Sequence, residues 1–304
     1  MMNAQATDTK SPNRSKSIWT AGQAILVAVI LLIVAICVLP MLNVLAISLS
    51  RKTDILAGRV TFWPVGFNLD AYRGIFQDNS MIYCMFYTVA MTAGYTVLAM
   101  VMTILLAYPL SKRTLFGRKT IMLFILITMY FSGGTIPVYL TIKNYGLLDT
   151  VWCLVLPAII STYNMIILRS SISALPYELE EAAVIDGAND FQVLLQVTLP
   201  LCKATIATIA LFYAVGKWNS FSDAMYYITT KRLQPLQLRL YNIIKGTTSI
   251  ELSMVEGSSA DLSQNISESI ESATIIFATL PILLVYPFVQ RYFISGVTIG
   301  AVKG

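Results

Sequence analysis

Long apolar stretches alternate with short polar ones along most of the chain. A bilayer core of ~30 Å requires about 20 apolar residues per helix, and six stretches reach or nearly reach that length. Five of them lack acidic and basic residues over their central part, and the fifth in order is free of them up to Lys217. The pattern predicts an all-α, polytopic membrane protein with six transmembrane helices, over 24–49, 81–108, 120–140, 151–168, 204–225 and 272–290.

The composition supports a membrane protein. The 304 residues are 56% hydrophobic and 12% charged, whereas soluble domains are about 25% charged. The mean hydropathy is +0.69. Several predicted spans contain proline, which membrane helices tolerate when neighbouring groups satisfy the freed carbonyls.

The charges of the short loops predict the orientation. Loop 109–120 carries Lys112, Arg113, Arg118 and Lys119 without an acid, which is typical of a cytoplasmic loop. With six spans, both termini are then cytoplasmic, and the first span is expected to be uncleaved. The predicted organisation comprises a cytoplasmic tail 1–23, a six-helix domain 24–294 with a cytoplasmic loop 169–203, and a cytoplasmic tail 295–304. The predicted outer segments are 50–80, 141–150 and 226–271.

Several kinds of chemistry have no support in the sequence. The chain has no histidine, and its four cysteines are isolated in apolar sequence, so no metal site is predicted. A phosphate-binding loop and a nucleophile elbow are both absent, so no catalytic residue and no nucleic-acid partner are expected. Ionisable residues are scarce in the middle of the spans, which disfavours an ion- or proton-coupled secondary transporter.

The most acidic short segment lies between two apolar spans. Residues 176–191 contain five acids, and the range 170–201 has no Lys or Arg. Pro176 suits the first turn of a helix, Gly187 suits a position of positive φ beyond its end, and Asn189 or Asp190 can cap a second helix. The segment therefore predicts a short helix, a tight turn and another short helix.

Two interpretations of this segment remain open from the residues alone. A small acidic helix with an alanine face allows close approach of a partner, and its carboxylates suit a basic groove. The alternative is a solvated helix that merely joins two spans.

The same segment resembles a known motif. Glu181-Ala182-Ala183, Asp186-Gly187-Ala188 and Leu199-Pro200-Leu201 are similar in type and spacing to the EAA motif in permease subunits of ATP-binding-cassette (ABC) importers. The resemblance implies the type I ABC importer permease fold, with this segment as the cytoplasmic coupling helix that lies in a groove of the ATPase subunit. Glu181 would supply the acidic contact, Gly187 the turn and the alanines a close-packing surface. The implied coupling residues are Glu178, Glu181, Ala182, Ala183, Asp186, Gly187 and Ala188. Lys203 stands where the family often has proline.

Further segments resemble the carbohydrate branch of this family, related to permeases for lipo-oligosaccharide and aldouronate-type glycans. They are 132–150, 212–240 and 281–304. The resemblance implies import of a carbohydrate, and of an oligosaccharide in particular, across a bacterial plasma (inner) membrane. It implies a second, different permease subunit, two ATPase subunits that bind ATP and Mg, an extracytoplasmic sugar-binding protein and membrane lipid as partners. No cofactor is expected on this chain itself. The alternatives are another polar solute, a secondary transporter, or a membrane scaffold or receptor.

Aromatic and uncharged polar residues in the later spans are candidates for a sugar pathway, because Tyr and Trp offer a flat apolar face with a polar tip. An aromatic belt at the membrane interface is the alternative for each. The candidates are Tyr139, Tyr163, Asn164, Trp218 and Asn219, with Asp223 beside them. The hydrophilic outer segment 241–271 is expected either to face the sugar-binding protein or to be a loop without regular structure.

Overall fold

The computed structural model describes residues 21–255 and 268–301, and the side chains of 22–246 and 268–287. Within these ranges every regular element is helical. The α-helices are α1 (Ala21–Ser48), α2 (Lys52–Leu56), α3 (Asp70–Gln77), α4 (Asn79–Ser111), α5 (Arg118–Tyr130), α6 (Thr135–Asn144), α7 (Val151–Val155), α8 (Thr162–Ser173), α9 (Tyr177–Ile185), α10 (Asp190–Val193), α11 (Leu199–Leu201), α12 (Lys203–Asn219), α13 (Ser222–Tyr227), α14 (Leu236–Val255) and α15 (Glu268–Ala301). Short 3₁₀ turns occupy Leu156–Ala158 and Lys231–Leu233, and a π-helical turn occupies Leu194–Thr198.

Six membrane crossings are available in the described ranges when bent helix pairs are counted as single spans. Three helices are long and apolar enough alone: Gly22–Ser48 of α1, all of α4, and Glu268–Pro287 of α15. Three pairs qualify together: α5 with α6 bent by 112°, Val151–Ala158 with α8 by 50°, and Asp190–Leu201 with α12 by 84°. The all-α polytopic prediction is confirmed, and half of the predicted spans are broken rather than straight.

The broken spans correct three predicted boundaries. The predicted helix 120–140 stops at Tyr130, because Phe131 is extended and Gly134 adopts φ 84°. The predicted helix 151–168 is interrupted after Ala158 and resumes at Thr162. The predicted helix 204–225 ends at Asn219, because Ser220 is extended, and α13 follows as a separate helix.

The break between α7 and α8 is stabilised by side chains from other spans. The Tyr95 hydroxyl donates a 2.5 Å hydrogen bond to the Ala158 carbonyl, and the Ser161 amide donates a 2.9 Å bond to the Tyr213 hydroxyl. The Tyr213 hydroxyl also pairs with Thr103 Oγ1 at 2.7 Å. Non-helical backbone at membrane depth requires such internal partners, because lipid supplies none.

Lys217 also contacts this break. Its Nζ donates a 2.5 Å hydrogen bond to the Leu154 carbonyl and lies 5.1 Å from the centre of the Tyr95 ring. Lys217, which interrupts the predicted fifth span, therefore has a structural partner on the fourth.

The centre of the bundle is formed by α4, α8 and α12, which pack along one another. Small side chains such as Ala99 and Ala107 are fully buried on α4 and allow close approach of its neighbours. In contrast, α1 packs along α15 and leaves most of its side chains from Gly22 to Leu42 exposed. Such an apolar surface suits lipid or another membrane subunit.

The end of the bundle where α4 begins is covered by α3, α13 and α14. The Leu236 amide donates to Thr88 Oγ1 at 2.8 Å, and Arg239 pairs with Asp78 at 3.7 Å. The alternative of an irregular loop over 241–271 is wrong for 241–255 and 268–271, which are helical. The start of α14 carries an apolar face, including Leu240 and Ile243, that packs on the core. The Ser-rich part at 256–267 lies outside the described residues, as do 1–20 and 302–304. The predicted tail 295–304 begins inside α15.

Candidate functional site: the acidic helix pair at one end of the bundle

The acidic segment folds as the predicted helix, turn and helix. Pro176 is the N-cap of α9, one residue earlier than predicted, and Gly187 follows the helix with φ 87°. The Ala188 amide donates to the Ala183 carbonyl at 3.0 Å, and the Gly187 amide donates to the Val184 carbonyl at 3.0 Å. These two bonds form a Schellman motif. The spacing of the Ala-Ala and Asp-Gly-Ala parts of the motif therefore has a local structural cause.

The second helix begins with a reciprocal cap. The Gln192 amide donates to Asn189 Oδ1 at 2.9 Å, and Gln192 Oε1 accepts from the Asn189 amide at 2.8 Å. This capping box selects Asn189 rather than Asp190 as the cap. The turn between α9 and α10 is thus fixed from both sides by its own residues.

The surface of this helix pair is acidic and apolar. Glu178, Glu181 and Asp186 are exposed and have no ion-pair partner among the described residues. Ala182 is exposed, whereas Ala183 and Ala188 are half-buried. Helix α9 buries none of its residues. Large apolar side chains are exposed beside the acids: Tyr177, Leu179, Val184, Ile185 and Phe191. Such a mixture suits a protein partner with a basic, partly apolar groove.

Glu180 differs from the other acids and was missed by the sequence prediction of site residues. Its Oε2 accepts a 2.6 Å hydrogen bond from Lys112 Nζ, just beyond the end of α4. Burial opposes the charged form of Lys112, but its interactions with Glu180 and Tyr108 outweigh burial, so the pKa of Lys112 is raised. The only signal in the sequence was opposite charge on two loops, which does not identify partners 68 residues apart.

A cleft of about 590 Å³ lies beside this attachment. Its wall includes Tyr108, Lys112 and Phe116 on one side and Asp190 and Phe191 on the other. The Tyr108 hydroxyl donates a 3.1 Å hydrogen bond to the Asp190 carbonyl across the junction. The acidic helix pair is therefore attached to the bundle at the end of α4.

The five predicted pathway residues occupy different environments. The Trp218 side chain is buried, and its Nε1 donates to the Ala278 carbonyl at 3.3 Å. Asn164 is buried near the start of α8, whereas Tyr163 and Asn219 are exposed. Tyr139 is half-buried and stacks on Tyr227 with ring centres 6.2 Å apart. Asp223 accepts from the Ser220 hydroxyl at 3.3 Å. No side-chain hydrogen bond or ring contact joins any two of the five among the described residues, and their pathway role stays a prediction.

Residues 80–299 match the family model described as the inner membrane component of binding-protein-dependent transport systems. The chain belongs to this family. The match spans the bent helices and the acidic helix pair, so this permease carries the site described above within its family region.

The permease is similar to two Bacillus subtilis proteins over nearly its whole length. It is 39% identical to the polygalacturonan/rhamnogalacturonan transport system permease protein YtcP of Bacillus subtilis, over 90% of this chain and 96% of the relative. It is 40% identical to protein LplC of the same organism, over 89% of this chain and 90% of the relative.

A solved structure shares the fold of the permease. It is a chain of a bacterial ABC transporter involved in the import of the acidic polysaccharide alginate, with a TM-score of 0.79 and 31% identity. The alignment covers 94% of this chain and all of that one. The predicted type I ABC importer permease fold is confirmed by this likeness together with the family.

Proposed function

We propose that this permease is a transmembrane subunit of an ATP-driven ABC importer that moves an oligosaccharide across the plasma membrane. It pairs with a second, different permease subunit and with two ATPase subunits, which hold ATP and Mg. An extracytoplasmic binding protein delivers the cargo. Both termini and the acidic helix pair lie on the cytoplasmic side. The proposal rests on one observation above all: at the end of a permease bundle, the acidic helix pair exposes Glu178, Glu181 and Asp186, which have no ion-pair partner in the described part of the chain.

Docking of α9 in an ATPase groove would explain its surface. The side chains of Glu178, Glu181 and Asp186 would meet basic residues of the partner, and the exposed apolar residues would fill the remaining groove. Gly187 would hold the turn. Closure of the ATPase pair would then move α9 and drive the bundle between outward- and inward-open states, because a partner can shift an equilibrium only by engaging the two states differently.

The proposed cargo follows from the relatives. Polygalacturonan and alginate are named for a permease relative and for a structural neighbour, and both are acidic polysaccharides. We therefore propose an oligosaccharide with acidic sugar units as the cargo, and another polar solute as the second candidate.

Co-purification tests the assembly. The tagged permease is extracted gently from its native membrane, and its partners are identified by mass spectrometry. The proposal predicts that two kinds of subunit accompany it, an ATPase and a second permease. A chain that emerges without an ATPase would support a scaffold or receptor instead.

Uptake measurements test the energy source and the cargo. Cells are given labelled oligogalacturonate and, in parallel, a neutral oligosaccharide. We expect uptake to cease on ATP depletion and to survive collapse of the ion gradients. Uptake that follows the ion gradient would support a secondary transporter, and equal uptake of both sugars would remove the preference for an acidic cargo.

A further inference from the structure

Few side-chain contacts attach α9 to the bundle. Helix α9 buries no residue. Among the described residues, the bond from Lys112 to Glu180 is the only side-chain hydrogen bond or ion pair that α9 makes with a membrane span or its end. Helix α9 otherwise contacts the elements that follow it in the chain, α10 and the π-helical turn Leu194–Thr198, and it continues into them through the Gly187 turn.

Lys112 lies between two groups that hold it in place. Its Nζ is 2.6 Å from Glu180 Oε2 and 4.5 Å from the centre of the Tyr108 ring. The side chains of Lys112 and Glu180 are 22% and 15% exposed. Because the Tyr108 hydroxyl also bonds to the Asp190 carbonyl, these three side chains, here named the Lys112 cluster, join the last turn of α4 to both α9 and α10.

The span to which α9 is joined is α4, which runs without a break to the opposite end of the bundle. Helix α4 has 33 residues. At its far end, Asp78 caps the helix by accepting from the Ser80 amide, and it pairs with Arg239. Helix α4 also lies against α8 and α12, two of the helices that belong to bent spans. A displacement of its α9 end can therefore reach both the centre and the far end of the bundle.

We propose that Lys112 is a positioning residue that couples α9 to α4, so that a displacement imposed on α9 moves the central span. This inference rests on the proposed function, because it needs an ATPase that moves α9. The cluster gives α9 a charged and geometrically defined attachment to α4 in place of hydrophobic packing.

The coupling of α9 to α4 and the stability of the fold can be measured separately. A Gln at either position keeps a polar side chain that can hydrogen-bond to the remaining partner, so the single variants are designed to leave the fold intact. A mutation along a coupling route changes the coupling between two sites by roughly 2- to 30-fold. A variant of the Lys112 cluster is therefore expected to fold and to bind the ATPase, and to fail in transmitting its motion.

The experiment measures motion of α4 in the complete complex. Cys37, the exposed cysteine among the described residues, is replaced by Ser, since Cys84, Cys153 and Cys202 are buried. Spin labels are placed at the exposed positions Phe86 on α4 and Leu284 on α15. The distance between the two labels is measured by pulsed electron paramagnetic resonance before and after the ATPase subunits are trapped with ATP and vanadate.

Three permease variants are compared with the unmodified cluster. They are Lys112→Gln, Glu180→Gln and the charge exchange Lys112→Glu with Glu180→Lys. Lys119→Gln is the matched control, because Lys119 is an exposed lysine of the same basic region without a partner among the described side chains. ATPase binding and the melting temperature are measured for each.

The expected result is that vanadate shifts the label distance in the unmodified cluster and in Lys119→Gln. Each single variant should reduce the shifted population at least twofold with ATPase binding and melting temperature retained, and the charge exchange should restore much of it. An unchanged shift in the single variants would overturn the role of Lys112 while the importer proposal stands. A loss that accompanies a lower melting temperature and is not restored by exchange would overturn it as well. Absence of the ATPase from the unmodified complex would instead overturn the proposed function.

Discussion

The backbone amide of Ser161 donates a 2.9 Å hydrogen bond to the hydroxyl of Tyr213, which belongs to another span. Helix α8 begins at the next residue, after the bend that follows Pro157. The bond therefore satisfies a donor that a continuous helix would have satisfied internally. We therefore expect the bend to depend on Tyr213.

Replacing Tyr213 with Phe should destabilise the permease. The hydroxyl that accepts from the Ser161 amide and pairs with Thr103 is lost, and an unsatisfied buried polar group costs about 1–3 kcal/mol. The melting temperature of the purified complex should fall in the Tyr213→Phe variant. Tyr226→Phe is the control, because Tyr226 is exposed. Equal melting temperatures for both variants would contradict this account of the bend.

The turn after α9 should require a residue that accepts positive φ. Gly187 has φ 87°, and a Cβ added there would meet no atom within 4 Å, so any penalty is conformational rather than steric. Val is strongly disfavoured in this region, whereas Asn is tolerated. We expect Gly187→Val to lower the affinity for the ATPase, because a strain of about 1–2 kcal/mol changes a population roughly 5- to 30-fold. Gly187→Asn should keep most of the affinity.

This difference is measured as the dissociation constant of the purified ATPase for each permease variant in nanodiscs. Equal affinities for the Val and Asn variants would show that the conformation of the turn does not matter for docking.

Asp149 should stabilise the opposite end of the bundle in a pH-dependent way. Its carboxylate accepts from the Thr230 hydroxyl and from the amides of Thr230 and Thr229. These hydrogen bonds, with that of the Thr230 hydroxyl the largest, lower the pKa of Asp149 to about 2. A carboxyl whose folded pKa is depressed stabilises the fold above its unfolded pKa of about 3.9 and loses that effect as the pH falls toward the folded value.

The Asp149→Asn variant isolates the charge, because Asn also tolerates the positive φ of 57° found at this position. Its melting temperature should be lower than that of the native chain by a constant amount between pH 5 and pH 7. The difference should shrink below about pH 4. A difference that persists unchanged at the lowest pH would show that the charge is not its source.

Local features were predictable from the sequence. The helix, turn and helix at 176–191 followed from Pro176, Gly187 and the caps, which act within a few residues. The number of spans followed from apolar length. These features depend on short-range chemistry, so one sequence contained enough information for them.

Features that depend on distant residues were not predictable. The bend before Thr162 needs Tyr95 and Tyr213 from two other spans, and Glu180 finds Lys112 across 68 residues. The hydrogen bond from Trp218 to the Ala278 carbonyl joins residues 60 positions apart and could not be predicted either. In each case the tertiary fold determines which residue is the hydrogen-bond partner.

The most direct test of the central claim is a cross-link between α9 and the ATPase in native membranes. Ile185 is 80% exposed on α9, and Trp63 is 81% exposed in the segment between α2 and α3. In a Cys37→Ser background, Ile185→Cys and Trp63→Cys are each treated with a short thiol-to-amine cross-linker. The account predicts a permease–ATPase adduct from Ile185→Cys and none from Trp63→Cys. An ATPase adduct from Trp63→Cys, or its absence from Ile185→Cys while the complex is intact, would contradict the claim that α9 is the docking helix.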